Sequence, residues 1–484
     1  MSLLRAGLWL SAGIALGRFA GFIREAILAR RFGLGPDADV AVLVLTLPDA
    51  VLNLLIGAAM GAALVPALAA ARQRDGQVAV DRLHSQVAVL AMAVGVVLTV
   101  LLVWAGPGLV RALAPGLSAE QVARAGELVG IALWAIPLTV LSSVLGAGLQ
   151  ERERFASTSL GTLWFNGAVI AGLLLWSGAL AAIAWAMLVG AALRVVGQAA
   201  EWRLSGGRWR WGPWLPERRM AVAYGEVLVA SAALLLLPLA GRWFASFAGP
   251  GAIAGYTYAS KLFELPLQVL VTVFATALFP RFSRLLTAGD AAGARVFLTL
   301  GLQVVVVCAT VAAVVVAWHA ETVVHVAFHL APDDEARVAG LTRILVAALP
   351  WAGLTALLQA WYAADSDTRT PLRAGLVGVA VFLLLGWPVL HSAGLPGLAW
   401  LAVGQYALVG ALLGWPQLGR LSLSGVLPLM VAAGVAVGLC ALSSRVDQPI
   451  LRLASAALAG TVAVAAGLGC VPGLRALVSC RPPC

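Results

Sequence analysis

Charge is scarce in this sequence. Only 11% of its 484 residues are Asp, Glu, Lys or Arg, and lysine has all but vanished, Lys261 standing alone against 31 arginines. That is under half the charge of an ordinary soluble domain, so a soluble multidomain protein is excluded. Paired metal spacing is missing as well. The five cysteines, Cys308, Cys440, Cys470, Cys480 and Cys484, form no zinc or dithiol motif and read as inert thiols, and Cys484 completes no prenylation box. No cleavable signal peptide is expected, because the first apolar segment carries Arg18, Arg24 and Glu25 and lacks a small-residue cleavage site.

What is there is hydrocarbon. Hydrophobic residues make up 61% of the chain, and mean hydropathy is +0.95. The apolar runs are about 20 residues long, the length a helix needs to cross a bilayer. They exceed a barrel strand and do not alternate, which predicts an all-α polytopic membrane protein. The expected spans are 5–31, 40–70, 86–106, 126–149, 158–177, 179–200, 221–241, 252–279, 296–318, 339–363, 373–391, 396–415, 424–443 and 452–473, about fourteen transmembrane helices in all.

The net charge of +10 suggests nucleic acid until the arginines are placed. With the N-terminus inside, the cytoplasmic loops and termini hold 19 arginines and the opposite side eight. The positive-inside rule then sets both termini in the cytoplasm. The longest polar stretch, Glu201 to Met220, interleaves arginines with Trp202, Trp209, Trp211 and Trp214. Single-strand nucleic acid binding would use such a mixture. An interfacial helix, its tryptophans at headgroup level and its arginines against anionic lipid, uses it equally well and is the expectation here. No nucleic acid partner is expected.

The two halves echo one another. Ala63, Leu64, Val65, Pro66 returns as Ala277, Leu278, Phe279, Pro280, 214 positions later, and loop markers at Arg154 and Arg369 stand 215 apart. Six helices separate the copies, so the lobes have parallel topology. The expected layout is 1–200 as the first lobe, 201–220 as a basic, Trp-rich linker, 221–423 as the second lobe, and 424–484 as two extra helices with a short tail.

Ionisable residues inside apolar spans are functional candidates by default, since each costs several kcal/mol unless it meets a cavity or a partner. Arg18 and Arg24 lie in the first span. Arg18 and Glu25 are seven residues apart and share a face, so an ion pair that merely satisfies Arg18 is the bland alternative; Gly17 and Gly21 are expected to loosen that helix. Lys261 has Glu264 one turn on, and self-neutralisation is its bland alternative. Asp39 opens the second span, where it could cap its own helix beside Pro36. Arg194, Glu226 and Arg343 read as snorkelling near helix ends. Two enzyme-like patterns are weak. Asp37 with Asp39 and Asp365 with Asp367 form D-x-D pairs in helix-capping loops, and Glu321, His325 and His329 fall on one helix face without a fourth ligand or an H-E-x-x-H order. No catalytic residue, metal or cofactor is expected.

The run from Gly17 to Gly33, GRFAGFIREAILARRFG, resembles the opening of the MviN/MurJ proteins, lipid II flippases of the MOP exporter superfamily. Asp37, Ala38, Asp39 with Leu47, Pro48, then Ala114, Pro115, Gly116, and Leu262 to Pro266 with Leu278, Phe279, Pro280 continue the likeness over essentially the whole chain. The resemblance implies a V-shaped, two-lobed carrier of the bacterial inner membrane. It would work as a monomer, alternating between inward and outward openings while it moves a polyprenyl-pyrophosphate-linked saccharide outward. A cationic cavity would hold the pyrophosphate, with Arg18, Arg24, Asp39 and Glu264 at matching positions. Two departures matter. Leu52 replaces the family's arginine after the Leu-Pro of the second helix, with Asn53, Gly57 and Ala58 around it, and Lys261 replaces the arginine of the eighth. A lysine point charge and an arginine fork are not interchangeable at phosphate.

Two cargoes therefore stay open, lipid II and an exopolysaccharide repeat unit. A multidrug cation exporter of the same superfamily would need an anionic cavity where this one counts as net positive, and a membrane glycosyltransferase would need an active-site loop that is not apparent. The span 373–391 contains no Asp, Glu or Asn, so the sodium site of some relatives has no obvious ligands here.

Overall fold

The computed structural model describes residues 3–176, 180–215, 217–365, 367–418 and 426–471. Among them all regular structure is helical, as a bilayer demands of an open chain whose backbone must satisfy its own hydrogen bonds. The chain divides into two compact units, Met1–Leu239 with Gly249–Ala254, and Ala240–Ala248 with Gly255–Cys484.

The first unit contains α1 (Leu3–Phe32), α2 (Pro36–Leu113), α3 (Ala119–Ala132), α4 (Ala135–Glu151), α5 (Ala156–Leu175), α6 (Leu180–Leu204) and most of α7 (Arg218–Ala245). The second contains nearly all of α8 (Ala252–Thr287), then α9 (Ala291–Trp318), α10 (Ala320–Phe328), α11 (Pro332–Val346), α12 (Leu349–Ala364), α13 (Arg369–Leu418), α14 (Val426–Ser443) and α15 (Pro449–Gly469). Among the described residues seven helices are long and apolar enough to cross a membrane, or eight with the bent pair α11 and α12. Several of the fourteen expected spans include residues or side chains outside the described set. Two long helices each carry a pair of spans: α2 holds 78 residues, far more than the roughly 20 that one bilayer crossing needs, and α13 merges two helices across a kink at Gly394.

The internal repeat is visible in how helices break. In the first unit Gly76 takes a left-handed φ of 73° within α2, and Gly289 takes 75° in the turn after α8, 213 positions on. Only glycine enters that region without strain, so both copies turn where they lack a side chain. The span formed by α3 and α4 is interrupted just before Pro137, and that formed by α11 and α12 bends by 44° just before Pro350, again 213 positions apart. Proline lacks the N–H that would continue the helical ladder and biases the residue before it away from helix.

Packing within the units depends on small residues, because lipid supplies no hydrophobic drive to bring helices together. At the α5–α6 contact, a Cβ on Gly172 would lie 2.6 Å from the Ala186 Cβ, and one on Gly190 would lie 2.9 Å from the carbonyl oxygen of Phe165. In the second unit Phe282, Phe297 and Trp361 form an edge-to-face aromatic core. The two helices outside the repeat, α14 and α15, pack on α9 through Val307, Val311, Ala432, Ala436 and Ala463.

The segment expected as an interfacial helix is different. Helix α6 ends at Leu204, and residues 205–215 run as an irregular strap, since Gly206, Gly207, Gly212 and Pro213 deny it a helix. The strap is tied to α2: Gln86 Nε2 donates to the carbonyls of Gly212 and Pro213, Gln86 Oε1 accepts from the Leu215 N–H, and Ser85 Oγ accepts from the Arg210 N–H. Trp202 is no headgroup anchor. It is buried, stacked on His84 at 4.8 Å, whereas Trp211 and Trp214 are exposed.

The two α6 glycines make opposite predictions. Gly190→Ala is expected to destabilise by about 1–3 kcal/mol, because backbone must give way. Gly197 has open space at its Cβ position, so Gly197→Ala is expected to stabilise by about 0.5 kcal/mol. Thermal unfolding of the two variants in detergent checks the contrast.

Candidate functional site

The intramembrane charges are built on α1, on the first turns of α2 and on α8. In the first unit, Gly13, Gly17 and Gly21 recur every fourth residue along α1 and face Ser159, Thr162 and Asn166 of α5. Close approach of backbones is what a small-residue stripe provides. The glycines therefore join α1 to α5 and do not loosen it, as the sequence had suggested. This seam sets Arg24. Its Nη1 donates to Asn166 Oδ1 at 3.1 Å, and Asn166 Nδ2 donates in turn to the Gly17 carbonyl at 3.0 Å. Its Nη2 donates to Glu25 Oε1 at 3.0 Å, and Asp49 Oδ2 lies 3.6 Å from Nη1. Arg24 and Glu25 are both buried.

Glu25 thus pairs with its neighbour Arg24, whose guanidinium Asn166 also holds on the α5 side. Arg18 is on the exposed side of α1. Asp49 and Asn166 were missed in the sequence. Asp49 had a usable signal, an acid directly after Pro48 inside an apolar span; Asn166 had none, because its role depends on which helix packs against α1. The side chains of Leu52, Asn53, Gly57 and Ala58 lie outside the described residues.

Asp39 has a different occupation from the one its neighbours suggested. It does not cap α2, whose N-cap is Gly35. Its Oδ2 accepts the Gly251 N–H at 2.7 Å and its Oδ1 the Ala254 N–H at 2.8 Å. The carboxylate thereby satisfies otherwise unpaired N–H groups at the start of α8, where the helix dipole also favours negative charge. Gly251 permits the approach: at φ 78° it presses against Leu34 and Gly35, and a Cβ there would lie 2.9 Å from the Leu34 carbonyl carbon. With both oxygens engaged, Asp39 is structural in this conformation.

In the second unit Lys261 Nζ donates to Glu264 Oε2 at 2.7 Å, one turn along α8, and both side chains are half-buried. Phe263 packs its ring 5.5 Å from that of Tyr406. Asp49 adds an acid beside Arg24 that the sequence reading had not counted.

The enzyme-like patterns dissolve into local structure. Asp37 pairs with Arg124 at 2.7 Å. Asp367 accepts from the Thr370 hydroxyl and from the N–H groups of Thr370 and Arg369, and these bonds hold its pKa below the ordinary aspartate value. Glu321 pairs with Arg343, and His325 Nδ1 meets Glu335 at 2.9 Å. Among the described residues no group of three His, Cys, Asp or Glu is placed to hold a metal. Cys308, Cys440 and Cys470 are free thiols; Cys480 and Cys484 lie outside the described residues.

Comparison with known proteins gives one consistent result. The model of the family described as lipid II flippase MurJ matches residues 28–464. A lipid II flippase MurJ of Burkholderia cenocepacia is 26% identical over 433 residues, 85% of this chain and 83% of that protein. A solved structure described as lipid II flippase MurJ in an inward closed conformation superposes with a TM-score of 0.81 at 16% identity, covering 97% of this chain and 100% of that one. An inward-facing multidrug resistance MATE family transporter of the MOP superfamily superposes at 0.71 and 15% identity, covering 86% and 98%. At such identities the solved structures speak for the fold alone.

The cap at α8 makes a direct prediction. Asp39→Ala is expected to cost about 2 kcal/mol, because two buried N–H groups lose their acceptor, and Asp39→Asn is expected to fall between the variant and the parent. Thermal unfolding in detergent measures both.

Proposed function

The chain belongs to the lipid II flippase MurJ family, a family of multi-pass membrane transporters and not of enzymes, and from that premise we propose that it carries lipid II outward across the bacterial inner membrane. The match over residues 28–464 is the observation that carries the reading. The cargo is a polyprenyl-pyrophosphate-linked saccharide, and the relative of Burkholderia cenocepacia named above is described as a flippase of lipid II. That favours lipid II over an exopolysaccharide unit, for which no comparison speaks. The protein works as a monomer by alternating access, with both termini in the cytoplasm, as the excess of arginine in the even-numbered loops supports.

We assign pyrophosphate recognition to Arg18, Arg24 and Lys261. Each cation is an intramembrane charge, tolerable only beside water, an acid or an anionic ligand. Glu25 and Asp49 occupy that role for Arg24 and Glu264 for Lys261 in the empty carrier, and Asp39 supports the start of α8. The pyrophosphate then competes with carboxylates for the cations. Membrane potential acts on the loaded step. Two negative charges driven outward across an inside-negative membrane gain about 4–5 kcal/mol per 100 mV if they cross the full field.

Lys261→Ala and Arg24→Ala are expected to abolish rescue of a flippase-depleted strain at normal membrane levels of protein. Lys261→Arg is expected to restore rescue where Lys261→Gln does not, which isolates charge from size. In proteoliposomes lacking sodium, lipid II flipping is expected to accelerate with a valinomycin-set potential of the correct sign. Flipping that ignores potential and requires sodium would contradict the proposed driver.

A further inference from the structure

The first unit contains an arginine that the transport reading does not use. Arg194 lies ten residues before Leu204, about 15 Å from that end of α6, with its side chain partly buried. Among the described residues it forms no ion pair, and its buried Nε has no hydrogen-bond partner. It fills the space over Gly161 of α5, where a Cβ would lie 2.7 Å from Nε. One turn along α6, Gln198 Oε1 accepts from Ser142 of α4 at 2.7 Å, and Gln198 Nε2 is left buried without a partner. Thr158 Oγ1 on α5 is likewise buried and unpaired. It joins Gln198 at the bare flank of Gly146, where a Cβ would lie 3.8 Å from the hydroxyl and 4.0 Å from Nε2. Helices α5 and α6 therefore carry a guanidinium, an amide and a hydroxyl beside α4, each with an unused hydrogen to donate.

We propose that this α4–α5–α6 core binds a single small inorganic anion of the chloride class, with Arg194 Nε, Gln198 Nε2 and Thr158 Oγ1 as its donors. A water molecule could accept these hydrogen bonds but could not offset the charge, and an uncompensated arginine inside a membrane protein costs several kcal/mol. The acid facing this region, Glu201, is one turn beyond Gln198 toward the helix end, and its Oε2 already accepts the Ser157 N–H at 2.8 Å. The Oγ of Ser157 is a further buried unpaired hydroxyl beside it. The bare glycines at 146 and 161 are what let the side chains of Thr158, Gln198 and Arg194 come this close to α4 and α5.

The test uses the purified full-length protein in detergent, with sodium chloride exchanged for sodium gluconate at constant ionic strength. Chloride is expected to raise Tm saturably, by about 2 °C or more. Arg194→Gln and Gly161→Val, which remove the charge and displace the Arg194 side chain respectively, are expected to abolish that rise whatever their own stability. A wild-type Tm indifferent to the anion, or an equal rise in Arg194→Gln, would overturn the proposal. Should neither variant fold, crystals of the parent soaked in bromide decide: anomalous scattering within about 4 Å of Arg194 Nε, a distance that admits an N–H to halide hydrogen bond, supports the site. Its absence refutes it. Neither outcome bears on lipid II transport, which the flipping assay addresses separately.

Discussion

A hydrocarbon environment does not forgive an unpaired charge, and the interior of this protein is arranged around that constraint. Arg24 is held by Asn166, Glu25 and Asp49, Lys261 by Glu264, and Asp39 by two backbone N–H groups. None of these sets is a surface ion pair of the kind that contributes little in water. Removing a partner of Arg24 leaves a buried charge stranded, which is why that set is dense and joins helices distant in sequence.

Satisfying charge in this way requires helices to approach closely, and small residues make that possible. The glycine stripe of α1 lets Asn166 reach both the Gly17 carbonyl and Arg24. Gly251 lets Asp39 reach the start of α8. At each place a missing side chain and a buried polar contact occur together, so packing and electrostatics are one arrangement. The same reciprocity suits a carrier, because a cation paired with an acid can exchange that acid for an anionic ligand at a modest net change in energy.

The two halves share short sequence markers, and left-handed glycines and proline-adjacent breaks recur 213 positions apart. Turn geometry and helix interruption depend on glycine and proline in ways few other residues can replace. The strap after α6 has no such counterpart among the markers, and its ties to Gln86 and Ser85 depend on residues from another helix.

Composition and periodicity by themselves determined that the chain is helical, that it spans a membrane many times, and that Arg18, Arg24, Asp39, Lys261 and Glu264 are charges needing explanation. The Lys261–Glu264 pair was also legible, since both residues lie on one turn of one helix and local spacing suffices. Tertiary structure alone decided the rest. It paired Glu25 with Arg24, brought Asp49 and Asn166 to the same guanidinium, sent Asp39 to α8, buried Trp202, and left Arg194 without an acid among the described residues. The physical reason is the same in each case. Hydropathy records whether a residue can enter the bilayer, whereas its partner is chosen by which helix packs beside it, and that choice is made by contacts between residues up to 215 positions apart, as for Asp39 and Ala254.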